Sequence, residues 1–145
     1  MIAKSIFYAK SIALSLTAIF SCFALLDFVW LGVVAGGWYQ TEMAPLIRSQ
    51  FITWPWVVFY VMYGVVVFVL TVVANRDKPW LYAGIDGALL GMASYGAYNL
   101  TAYSIIEGFS FFIMAIDWAW GIFLTGISAI AGWMGFQFLR TDRVK

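Results

Sequence analysis

Residues 11–36 read SIALSLTAIFSCFALLDFVWLGVVAG, a stretch in which Asp27 is the single charged side chain. A helix rises about 1.5 Å per residue, so roughly 20 such residues cross the ~30 Å of hydrocarbon in a bilayer. The stretch is therefore predicted to span a membrane, and helix is the only open choice because lipid offers backbone groups no partners. Working outward, three more apolar runs follow, at about 56–74, 80–104 and 111–139. The expected fold is an all-α integral membrane protein, an antiparallel four-transmembrane-helix bundle forming one domain over residues 1–145. Lys4 and Lys10 before the first run suggest a signal peptide, and residues 19–22 a lipoprotein box. The apolar run is too long for the first, and Phe20 too bulky for the second.

Composition agrees. The chain of 145 residues is 64% hydrophobic and 10% charged, where soluble domains carry about 25% charged residues. Net charge is +1 and the basic residues are scattered, so no patch could pair with several phosphates, which excludes nucleic acid as a partner. Histidine is absent and Cys22 is the sole cysteine. Thiolate or imidazole metal sites and Ser-His-Asp chemistry are thereby excluded, and nothing points to a cofactor.

Seven of the eight basic residues flank the runs on one side: Lys4, Lys10, Arg76, Lys78, Arg140, Arg143 and Lys145 oppose Arg48 alone. That bias predicts a multi-pass protein with both termini cytoplasmic. Links between runs are short at 75–79 and around Glu107-Gly108, which forces antiparallel neighbours. The longer outer connection starts with Gly36-Gly37, expected to break the first helix, and carries Trp38, Tyr39, Trp54 and Trp56 at spacings suited to interfacial anchors. Met43, Leu46, Ile47 and Phe51 recur at helical spacing, predicting a short interfacial helix over about 42–53.

Charge within a span costs about 2.5–3.5 kcal/mol on insertion scales and marks the informative positions. Asp86 falls near the start of the third run, where the helix N-terminus and Lys78 or Lys10 can stabilise it. Asp27 and Asp117 both fall about 8–12 Å inside the outer ends of their helices. Antiparallel pairing sets Asp27 level with Trp120 and Asp117 level with Trp30, so each indole N–H could satisfy the opposite carboxylate. Tyr95, Tyr98 and Asn99, with Thr101 beyond, and Tyr60 and Tyr63 reach the same depth. Together these residues predict a polar, aromatic chamber in the outer leaflet. Small residues continue below it, at Gly84, Gly87, Ala88 and Gly91 on one helix and at Gly121, Thr125, Ser128, Gly132 and Gly135 on another, a pattern that permits close packing.

The sequence resembles a bacterial family of small inner-membrane proteins known only as domain of unknown function 2177. The resemblance rests on Asp27 to Gly32, Tyr39, Pro45, Tyr63-Gly64, Tyr95 to Thr101 and Asp117 to Gly121. It implies a four-helix protein of the bacterial inner membrane. The family pattern sets an acid at the position of Asn99 and an amide at that of Ala102, so any family activity needing that third acid is not implied for this chain.

Three functions fit these residues. The first is an accessory, scaffold or lipid-binding subunit, its partners being membrane lipids and a larger membrane complex. The second is a small proton-coupled transporter in which Asp27 and Asp117 exchange a proton for a cationic or amphiphilic substrate. The third is a lipid-modifying enzyme with Asp117 as general base, for which no nucleophile, metal set or nucleotide loop is present. The first is preferred.

Overall fold

The computed structural model describes residues 2–141, with side chains from 6 to 140; Arg143, Lys145 and the Lys4 side chain, invoked above for orientation, lie outside the described residues. Five helices follow in order, α1 Ile2–Val29, α2 Gly36–Glu42, α3 Trp54–Val67, α4 Trp80–Ile105 and α5 Phe111–Thr141. No strand occurs among the described residues. α1 and α3 each run on in a wider π-helical segment, Trp30–Val34 and Phe68–Val73 respectively.

Three segments are long and apolar enough to cross a membrane, Ile6–Val34, Trp54–Val73 and Phe111–Arg140. α4, at 26 residues, is long enough to match such a span but less apolar, because glycines, Asp86, Ser94 and Asn99 interrupt its hydrophobic residues. Many of these turn inward: Gly84, Gly87, Gly91 and Asn99 are buried. What the bundle leaves outside is largely apolar and bulky, including Leu25, Phe28, Val33, Val57, Met62, Leu70 and Phe138. So broad an apolar exterior matches a lipid environment.

α5 is the central element, packed most extensively on α4 and then on α1. The α4–α5 seam is close because side chains are missing from it. A Cβ on Gly87 would come within 2.8 Å of the Thr125 carbonyl oxygen. Two turns further along α5, Ser15 of α1 donates to the Gly132 carbonyl at 2.8 Å. Ile19, Phe23, Tyr63, Val67, Val72, Leu124 and Phe136 fill the space among α1, α3 and α5.

Two turns fix the helix ends. Gly108 takes φ +82° between α4 and α5, a left-handed conformation that costs other residues energy. Ser110 then begins α5, its hydroxyl accepting from the Ile113 N–H at 3.4 Å and donating to Glu42 at 2.7 Å. At the other end of the bundle, α5 clasps the carbonyls that end the α3 segment. Trp133 donates to the Asn75 oxygen at 3.1 Å, while Gln137 and Arg140 both donate to the Arg76 oxygen. Arg140 also bonds Asp77 and, ahead of Arg76, holds its carboxyl below the ordinary carboxylate range. Asp86 takes its hydrogen bond from the Asn75 amide at 2.6 Å, and Lys78 reaches it only indirectly, by donating to Asn75 Oδ1.

The 36–53 connection differs from expectation. Its helix is Gly36–Glu42, and residues 43–53 form turns and irregular chain in place of the short helix predicted over about 42–53. Pro45 explains this, since it removes an N–H and disfavours helix in the residue before it. The chain turns at Met43 instead, with Leu46 and Ile47 N–H groups both bonding its carbonyl. Met43 packs on the cluster of Ala102, Phe109 and Met114. The first helical segment does end just ahead of Gly36-Gly37: the π segment closes with Ala35 N–H on the Trp30 carbonyl, the chain bends at Ala35, and a separate helix, α2, begins at Gly36.

Candidate functional site

At the 36–53 end, each interior acid is held by neutral donors from other elements. Asp27 accepts from the Tyr60 hydroxyl at 2.5 Å through one oxygen and from Trp120 Nε1 at 2.8 Å through the other. Asp117 accepts from the Tyr39 hydroxyl at 2.5 Å and from Asn99 Nδ2 at 2.6 Å. Trp30 stands between the two acids, stacked on Trp120 with ring centres 4.5 Å apart and planes 4° from parallel.

The direct Trp30–Asp117 bond expected from antiparallel register is replaced by a relay. Trp30 Nε1 donates to the Tyr39 hydroxyl at 3.4 Å, and that hydroxyl donates to Asp117. Burial and then the Asp117 carboxylate push Tyr39 above its ordinary value, so it stays a phenol and keeps its proton to donate. Tyr39 had been assigned the role of an interfacial anchor because it sits in a connection, where periodicity says nothing of direction. It arrives here because the π segment carries the chain over the bundle and α2 folds back, with Trp38 packed edge-on to Trp30 and Phe112.

α4 contributes fewer residues than its sequence suggested. Tyr95 and Asn99 turn inward; Tyr98 is 58% exposed and packs on Phe109 while staying within electrostatic range of Asp117, and Thr101 is exposed. At about 100° per residue, Thr101 points some 120° away from Tyr95, outside any common face. Tyr95 lies flat against Gly121, whose lack of a side chain makes the room. Its hydroxyl is within electrostatic range of Asp27, Asp117, Tyr60 and Tyr63. Tyr63 is buried one layer deeper, bonded to Ser94 at 2.8 Å and Thr125 at 2.9 Å. Ser94 was not anticipated as part of this network, since a lone serine in a small-residue helix carries no distinguishing signal.

One acceptor in the layer is open. Asn99 is fully buried, and its amide nitrogen bonds both the Tyr95 carbonyl and Asp117, while Oδ1 has no hydrogen-bond partner. Amide geometry sets Oδ1 about 2.3 Å from Nδ2, so it lies within about 5 Å of Asp117 Oδ2. One small donor, such as water, can bridge that gap. Among the described residues no three acid, cysteine or histidine side chains converge.

Asp27 also borders a lateral groove of about 570 Å³ between α1 and α3, lined by Phe20, Phe23, Ala24, Phe28, Trp56 and Tyr60 among others. Apart from Asp27 and the Tyr60 hydroxyl, this wall is apolar. Its floor is set by Phe20, which occupies the space a side chain at Gly64 would need.

A family of predicted membrane proteins, DUF2177, matches residues 12–134. The chain belongs to this family. The matched region spans the whole layer from Asp27 to Trp120 and both walls of the groove. No curated protein and no solved structure matches the chain.

Proposed function

We propose that this family member is a binding protein of the bacterial inner membrane, an accessory component that holds a lipid in the groove between α1 and α3. In this reading α4 is the fourth span. It runs 26 residues, about 39 Å at 1.5 Å per residue, and packs along α5 with its polar side chains turned to the interior. The excess of basic residues at 76–78 and beyond α5 then sets the termini on the cytoplasmic side and the Asp27–Asp117 layer in the outer leaflet.

The observation that carries this reading is the groove itself. It has the volume of a small-molecule site, about 570 Å³, within the usual range of roughly 300–1,000 Å³. It runs from Phe20 to Gly32 on α1, about 18 Å of helix, and opens sideways where a bilayer would supply acyl chains. Binding is favoured over turnover because both carboxylates are engaged by hydrogen bonds from the protein.

Native mass spectrometry of protein released from nanodiscs tests this directly. The wild type should retain about one lipid, and Ala24→Trp, which fills the groove from an exposed position, should retain none while staying folded. Equal retention by both would place any bound lipid elsewhere. A stoichiometric protein partner in mild detergent would identify the complex the protein serves.

A further inference from the structure

From the charge inventory of the groove we infer the class of its ligand: an amphiphile with a protonated amine at its head, the ammonium set against Asp27 and the chain running along α1 toward Phe20. This rests on the groove being the lipid site.

Asp27 is the one charged residue in the groove wall. Its two donors, Tyr60 and Trp120, are neutral. Among the described residues, the ion pairs join Asp77 to Arg76 and Arg140, at the opposite end of the bundle. No cationic side chain therefore stands beside the Asp27 carboxyl, and an ammonium entering the groove would be its first positively charged partner. An ionised carboxylate has about four acceptor positions. Tyr60 and Trp120 take one on each oxygen, leaving capacity for a further donor from the groove side.

The rest of the wall suits the same ligand. Phe28, Trp56 and Tyr60 line the groove together with the acid, and aromatic rings attract ammonium groups. A phosphate or sulfate head without an amine would meet the Asp27 carboxylate unpaired and be disfavoured. A neutral alcohol could bond Asp27 but would bring it no positive charge. The ligand enters laterally, since α1 and α3 make little direct contact.

The test uses full-length protein in phosphatidylcholine nanodiscs doped with equal mole fractions of stearylamine and stearyl alcohol, which share one chain length. Ligand retained per protein is read by native mass spectrometry. The expected result is a preference for the amine of about tenfold or more, the size of one charge-assisted hydrogen bond. Asp27→Asn should bring the ratio to near parity while alcohol is still retained, and Ala24→Trp should abolish retention of both. Equal retention of amine and alcohol by the wild type would overturn the headgroup assignment and leave the groove reading standing. If neither is retained, the groove reading fails and the inference with it. Should Asp27→Asn not fold, the wild-type ratio decides the headgroup alone.

Discussion

A carboxylate inside an apolar helix bundle is stabilised by the donors around it, and here the four donors to Asp27 and Asp117 come from four different helices. Hydrogen bonds to a charged group contribute about 1.5–3 kcal/mol. Tyr39→Phe removes one such bond and the relay to Trp30, and should lower stability by about that much. Tyr98→Phe removes a hydroxyl that makes no hydrogen bond to the described residues and should fall within about 0.5 kcal/mol of wild type. Unfolding of both variants by denaturing detergent in mixed micelles measures the difference, and equal losses would show that the Tyr39–Asp117 contact carries no stability. Asp27 and Trp120 were legible as partners because register between antiparallel helices can be counted. Tyr39 was not, because no count crosses an irregular connection.

Helix pairing depends on where side chains are absent. A Cβ on Gly91 would collide with the Gly121 carbonyl and approach Thr125, whereas one on Gly32 would meet nothing within 4 Å. The two Gly→Ala changes should therefore have opposite signs. Gly91→Ala should destabilise by about 1–3 kcal/mol through overpacking. Gly32→Ala should be neutral or stabilise by up to about 1 kcal/mol through helix propensity. Thermal unfolding followed by circular dichroism in detergent reads both, and a shared sign would mean that α4 and α5 pack less closely than described. The small-residue stripes were visible in the sequence, but which stripe faces which was not. α5 carries two small-residue faces, and the structure gives one to α4 and the other to α1.

At the scale of the whole molecule, single cysteines test the orientation of the bundle and the passage of α4. In a Cys22→Ala background, cysteines replacing Arg48 and Glu107 should react with an impermeant maleimide on intact cells, and one replacing Asp77 only after permeabilisation. Labelling at Arg48 without labelling at Glu107 would show that α4 fails to cross. The same experiment fixes the leaflet of the acid layer, since residues 27 and 117 lie near the helix ends that these connections join.

Composition and the spacing of charges were enough to establish a helical membrane protein and to set its helix boundaries within a few residues, apart from the earlier start of α1, because burial of the backbone in lipid leaves one solution. The depth shared by Asp27, Asp117 and Trp120 followed from the same counting. Tertiary structure alone decided that Asp117 is satisfied by Tyr39 and Asn99, that Thr101 is exposed, that residues 43–53 are not helical, and that a groove opens beside Asp27. Those facts depend on helix rotation, on a π segment that resets it, and on how a connection folds back. None of these is a periodic property of the chain, so each is settled by packing between elements distant in sequence.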